Sequence, residues 1–342
     1  MKFGVFDHVD DAGVPLKQLY EERLQLGELY DRAGFYGYHQ AEHHYTPLTM
    51  APSPNVFLAA IAQRTRRLRL ITLVNVLPMY HPLRLIEEVC MLDQLNGGRS
   101  GLGVGKGISP IELAMYGVDP ERSSDQFSEA LEVLLEGLTS DVLTHHGEYY
   151  SFDGVPMTLK PLQQPHPPLW MGIGSPDRVS WCASRDVNVV SLSPAAVARE
   201  ITDRYRAEWD ALGKPADALP LMGAVRHLVL ADSDAEAMRI ASQAYRRWRG
   251  ALVSLWLKHG YGDPIEDVLP HDFEEWHADE KAYAGTPSGA REFVAKEIEE
   301  GGINYFVADL AFGDITFEQA SKSVELFARD VMPAFAVEER VA

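Results

Sequence analysis

The chain has 342 residues, 46% of them apolar, enough for one large α/β barrel or two ordinary domains. A net charge of −19 argues against a nucleic-acid backbone or an anionic membrane surface as partner. The two cysteines, Cys90 and Cys182, sit in apolar helical patterns and suggest neither a disulfide framework nor a thiolate metal site, and no run of about 18 apolar residues is present to span a membrane. The opening MKFGVF is strand-like and lacks a signal-peptide pattern, so a soluble cytoplasmic protein is expected.

Lys2 to Phe6 reads as a buried strand. A helical stripe follows at Leu16, Leu19, Tyr20, Leu24, Gly27 and Tyr30, closed by Gly34. Residues 35–39 are the second strand, and it runs into the loop Glu42-His43-His44. Ser53-Pro54 starts a helix that reaches about Thr65, with Ser53 expected to accept from the orphan amides. Leu68 to Val74 is strand three. His81-Pro82 opens a helix that stops at Asn96-Gly97-Gly98, and Ser100 to Val104 is strand four. Such alternation without hairpins builds a parallel sheet with right-handed crossovers.

Beyond Gly105-Lys106-Gly107 come a loop and a helix at about 120–138. Residues 139–166 break the rhythm. Asp153-Gly154 is a hairpin-type turn signal, and a proline-rich tract runs from Pro161 to Pro168, so the stretch reads as an insertion. Strand five is Leu169–Ile173, with a helix from Pro176. Strand six is Val187–Leu192, with a helix over 195–212. Strand seven lies in Leu221–Leu230, and a long helix covers 234–258. Residues 259–284 are too long for an ordinary connection and read as a lid. A helix starts at Thr286-Pro287, strand eight is Ile303–Leu310, and Phe317, Ala320, Val324, Phe327 and Val331 stripe the last helix. Eight strands with intervening helices predict one (β/α)₈ barrel over 1–342, with insertions after strands four and seven. An open doubly wound sheet is the alternative, weakened by the missing G-x-G-x-x-G after strand one.

A barrel places chemistry at the C-terminal ends of its strands. The candidates are Asp7 and His8, Glu42, His43 and His44, Val74 and Asn75, Gly105, Lys106 and Gly107, and Gly174 and Ser175, with Arg226 expected to point into the mouth. Adjacent imidazoles point opposite ways along extended backbone, so His43 and His44 make a poor metal site, and no other spacing suggests a metal. In Gly172 to Arg178, small residues precede a Ser-Pro helix start whose free amides attract a phosphate. Arg178 and Lys106 would add cations, and a plain helix cap explains the same residues. Gly101, Gly103, Gly105 and Gly107 alternate, leaving one face bare for a flat ligand or for tight packing. Trp209, Trp248 and Met91 read as core or helix surface.

The pieces KFGVF, AEHHYTP, VLPMYHPLRLIEEVCMLDQLNGGRSGLGVGKG, GSPDRVSWCAS and VELFARDVMPAF, in this order, resemble the bacterial-luciferase-like flavin monooxygenases over nearly the whole chain. The third piece is the most specific. The resemblance implies a (β/α)₈ barrel that binds reduced FMN, or a deazaflavin in some branches. It further implies a separate flavin reductase, and O₂ transferred through a C4a-peroxyflavin to a small organic substrate. It places the catalytic imidazole at His43 beside Glu42, with Glu112 as an acidic residue after strand four. Leu73-Val74 aligns with a non-proline cis peptide under the flavin, with Asn75 and Gly105 nearby. Lys106, Gly174, Ser175 and Arg178 fall at the phosphate.

Gly105 stands where luciferase has a reactive cysteine, so light emission is not implied. Pro-Asp-Arg replaces a more usual Pro-Glu-Ser in the phosphate loop. A deazaflavin-dependent dehydrogenase and a non-catalytic flavin-binding subunit are the alternative readings. Relatives pair into dimers through helices near the second and third βα units, where Leu83, Ile86 and Cys90 offer an apolar face. Phe6, Tyr45, Trp256 and Trp276 suggest a partly hydrophobic substrate.

Overall fold

Strands that are buried on both faces need neighbours on both edges, and here the pairing closes on itself. The computed structural model describes residues 1–336. Its barrel strands are β1 (Lys2–Asp7), β2 (Gly37–Gln40), β3 (Arg69–Thr72), β4 (Ser100–Gly105), β5 (Leu169–Gly172), β6 (Asn188–Ser191), β7 (Met222–Leu230) and β8 (Tyr305–Asp309). Each pairs in parallel with the next. β8 returns to β1 with Lys2 opposite Tyr305, which closes the eight-stranded barrel. All eight strands lie where the hydrophobic runs put them.

The barrel interior explains several glycines of the strands. Tyr305 and Trp170 are buried inside it, their ring centroids 5.6 Å apart. A Cβ on Gly4 would lie 1.8 Å from the Tyr305 hydroxyl, and one on Gly101 would lie 2.8 Å from the Trp170 indole nitrogen. A Cβ on Gly103 would stand 1.6 Å from the Thr72 carbonyl oxygen. Tight packing therefore accounts for Gly101 and Gly103. His39 joins this layer, with Nε2 2.8 Å from the Tyr305 hydroxyl, and burial pushes its imidazole down to about 3.

Some helix starts are capped by a side chain and others are not. Thr316 and Gln319 form a capping box, and Ser109 and Ser233 cap their helices. Ser53 makes no side-chain cap, so the helix Pro54–Arg64 starts on its proline alone. The insertion contains a hairpin, Val142–His146 with Ser151–Pro156, so Asp153-Gly154 falls within its second strand rather than at its turn. The turn is held elsewhere. The Glu129 carboxylate accepts from the amides of Glu148, Tyr149 and Tyr150 and meets His145 Nε2 at 3.1 Å. These local donors outweigh the Asp-Gly turn preference.

Residues 259–284 fold back on the helix Asp234–Lys258. Arg249 pairs with Asp263 at 2.8 Å, and the Tyr245 hydroxyl donates to the Pro270 carbonyl at 2.6 Å. Tyr283–Gly285 then adds a short parallel strand to the end of β7. Trp276 is buried against Trp248, His227 and Tyr245, so it belongs to the core and not to a substrate surface. Arg226 also departs from expectation. Its guanidinium forms a two-pronged pair with Glu297 on the helix Pro287–Gly301, at 2.8 Å to each oxygen, so it points out of the barrel. Among the described residues no helix is long and apolar enough to cross a membrane.

Behind β1 and β8 lies a buried acidic group with a single arginine. Arg23 Nε approaches Asp7 at 3.4 Å, Tyr38 donates to Asp7 at 2.8 Å, and Gly313 N–H donates to Asp10 at 2.6 Å. Burial pushes the Asp10 carboxyl up to about 7 despite Arg23, and it pushes Asp309 up as well. A carboxyl raised on folding holds its proton where the unfolded chain has lost it, so folding loses stability as pH rises from about 4 to about 7. Asp10→Asn has no charge to bury. Its stability relative to the parent protein is therefore expected to rise by up to about 4 kcal/mol between pH 4 and pH 8 in urea unfolding, and a pH-independent difference would contradict this assignment.

Candidate active site

β2 ends at Gln40, and the chain continues nearly extended before Tyr45 turns it at φ 58°. Along extended backbone alternate side chains share a side, so Glu42 and His44 face one way and His43 the other. Glu42 and His44 accordingly pair, Nε2 to Oε1, at 2.9 Å. The other Glu42 oxygen accepts from the Val76 amide and from the Tyr80 hydroxyl, each at 3.0 Å. On the far side of the His44 ring, Nδ1 meets the Tyr116 hydroxyl at 2.9 Å. Glu42 is therefore a buried brace between the loops after β2 and β3, not the carboxylate on His43.

That carboxylate is Glu112, 69 residues further on. Ser109 caps the helix Pro110–Met115 by accepting from the Glu112 amide, which fixes where the side chain emerges. Glu112 Oε1 lies 3.2 Å from His43 Nδ1, and Oε2 accepts from the His44 amide at 2.8 Å. A carboxylate at Nδ1 keeps the proton on that nitrogen and leaves Nε2 to act on whatever occupies the mouth. His43 remains 17% exposed at its side chain, against 7% for Glu112, so the imidazole is the reachable member.

The Leu73–Val74 peptide is cis, and both side chains are half-buried. Gly105 sits opposite, and a Cβ there would come within 2.6 Å of Val74 Cγ2. Asn75 is fully buried and donates to the Thr72 hydroxyl at 3.0 Å, so its side chain does not reach the mouth. His8 follows β1, its ring centroid 5.9 Å from that of His43.

A cationic end is built on the helix Ser123–Thr139. Lys106 Nζ donates to Ser124 Oγ at 3.3 Å, and the Arg178 guanidinium lies 5.6 Å from the Phe127 ring centroid. Ser124 and Phe127 lie three residues apart on one face of that helix, so the two cations approach the same N-terminal stretch. Neither has a carboxylate partner among the described residues. Two free cations near a helix N-terminus fit a phosphate dianion. The Ser175 hydroxyl is directed at Asp177, at 2.8 Å. The bare backbone at Gly105 is filled by Val74, so it lets the loop after the cis peptide lie close against β4.

Tyr80 and Tyr116 were not anticipated. Tyr116 carries one usable signal, its i,i+4 spacing from Glu112 on the same helical face. Trp248 is core, as the sequence suggests, and its indole nitrogen also lies 3.5 Å from His8 Nδ1.

A family model described as luciferase-like monooxygenase matches residues 1–304. The uncharacterized protein y4wF of Sinorhizobium fredii is 40% identical over 319 residues, 93% of this chain and 92% of that protein. The oxygenase component of the flavin-dependent trigonelline monooxygenase of Acinetobacter baylyi is 27% identical, covering 98% of this chain and 96% of its own length. The crystal structure of monooxygenase RslO1 from Streptomyces bottropensis superposes with a TM-score of 0.87 at 27% identity, over 98% of this chain and all of that one.

Removing one donor from the buried Glu42 carboxylate by Tyr80→Phe is expected to cost about 1–2 kcal/mol in urea unfolding. Glu112→Ala strands the His44 amide and is expected to cost about 2 kcal/mol or more. Unchanged midpoints in both variants would show that these braces carry no stability.

Proposed function

The chain belongs to the luciferase-like monooxygenase family, and from that premise we propose that it is the oxygenase of a two-component flavin system. It takes reduced FMN from a separate reductase and uses O₂ to oxygenate a small, partly hydrophobic organic substrate in the cytoplasm. The observation that carries this reading is the His43–Glu112 pair, with Nε2 left free near the cis Leu73–Val74 peptide and the two cations that lack a carboxylate partner among the described residues. The relative in Acinetobacter baylyi that bears the name of an oxygenase component supports it.

Bound flavin supplies the electrons that activate O₂. The protein supplies the rest. Leu73, Val74 and Gly105 shape the surface against the ring, and Asn75 acts only through its backbone. Lys106, Arg178 and the turn at Gly174-Ser175 hold the phosphate. His43 Nε2 accepts or donates the proton that oxygen transfer moves, and Glu112 orients it and balances the charge it gains. Glu42 positions His44 and Val76.

A homodimer is part of the proposal, through the helices Pro54–Arg64 and Pro82–Leu95. Ile86 and Cys90 are buried in the chain's own core, so the exposed apolar residues there are Val56, Met91 and Leu95. Sedimentation is expected to give twice the 38.1 kDa chain mass.

Mixing the protein with photoreduced FMN and oxygen is expected to slow the return of oxidised-flavin absorbance well below its rate in buffer. Rapid reoxidation unaffected by protein would sink the assignment, and tighter equilibrium binding of a deazaflavin than of FMN would move it to the dehydrogenase reading. His43→Ala is expected to lose about 10²-fold or more in turnover while flavin affinity is largely kept.

A further inference from the structure

We propose that His8 is a substrate-binding residue, a hydrogen-bond donor that selects flat, apolar substrates bearing a carbonyl oxygen. The inference rests on the reading of the mouth as the oxygenation site and adds the substrate class to it. His8 lies directly beyond β1, and its ring centroid is 5.9 Å from that of His43, so one small molecule can touch both.

The tautomer follows from its neighbour. An indole N–H can only donate, and Trp248 Nε1 faces His8 Nδ1 at 3.5 Å. Nδ1 is the acceptor, which puts the proton on Nε2. Nε2 makes no hydrogen bond to any described residue, yet it is not among the sealed buried atoms that lack a partner, so it opens to the mouth. A donor without an acceptor, set in a protein wall, is a recognition element waiting for one.

The surroundings set the class of ligand. The Phe6 ring stands edge-on to His8 at 4.7 Å between centroids, and the Trp248 ring is tilted at 6.2 Å, so the protein around the imidazole is aromatic. Burial first, and then His43 and His227, hold the imidazole well below its ordinary protonation range. A neutral imidazole offers a directional N–H without a positive charge. It suits a carbonyl oxygen and gives no electrostatic pull to a carboxylate. Selection of this kind is strong in one direction, because a ligand lacking the acceptor leaves the N–H desolvated and unpaired.

The test uses acetophenone and α-methylstyrene, which differ by C=O against C=CH₂. Both are titrated calorimetrically into the FMN-loaded protein and into the protein alone. His8→Phe is expected to reduce the ratio of acetophenone to α-methylstyrene affinity about tenfold, with α-methylstyrene binding and FMN affinity retained. His8→Gln keeps an N–H donor and is expected to hold the ratio within about threefold of the parent protein. A ratio that moves less than twofold in His8→Phe, or no acetophenone binding to the parent protein, overturns the proposal. Because the protein alone is also titrated, a failure to bind FMN would count against the oxygenase reading and leave the His8 result standing by itself.

Discussion

The Glu112 carboxylate is the tie on which the mouth of this barrel depends. One oxygen meets the His43 imidazole and the other holds the His44 amide, so a single side chain from the loop after β4 fixes both the direction and the height of the loop after β2. Beside it runs a second pair of opposite hand, in which Glu42 takes His44, the Val76 amide and Tyr80. Three loops are thereby joined by two carboxylates. Each buried oxygen has a donor, so neither charge is left to destabilise the fold. The division of labour is plain from exposure: His43 reaches the mouth, and His44 is closed in by Glu42 and Tyr116.

Below the mouth, packing leaves little freedom. Tyr305 and Trp170 occupy the space that side chains at Gly4 and Gly101 would fill, and Gly103 lets β4 approach the Thr72 carbonyl. The same alternation of glycines keeps one meaning as it climbs the strand: at 101, 103 and 105 alike the neighbouring protein, Trp170, the Thr72 carbonyl and Val74 in turn, occupies the place of a side chain. A barrel whose lower layers are filled by large aromatic rings holds its upper loops, and with them the His43 imidazole, at fixed positions.

The buried titratable groups of the barrel are electrically quiet despite their number. Asp10, Asp309, His8, His39 and His227 are all buried, and in each case desolvation pushes toward the neutral form. Asp7 and Arg23 form the charged pair within that group. Lys106 and Arg178, which have no carboxylate partner among the described residues, each approach the helix Ser123–Thr139 instead. The cationic group and the uncharged buried groups are thus built from different elements of one chain.

The linear sequence by itself determined the eight strands, nearly all the helix starts and the family. These depend on local periodicity, on proline and glycine at element ends, and on motifs in a fixed order. It also singled out His43 and, through the family resemblance, Glu112 as candidates. Tertiary structure alone decided which carboxylate serves which imidazole, because Glu112 is distant in the chain and the facing of Glu42 depends on how β2 leaves the barrel. It decided likewise that Arg226 turns outward to Glu297, that Trp276 joins the core, and that Asn75 is sealed against Thr72. The direction of a side chain at a strand end is set by register and by the partners that packing brings within about 3 Å, and neither is written in the spacing of residues along the chain.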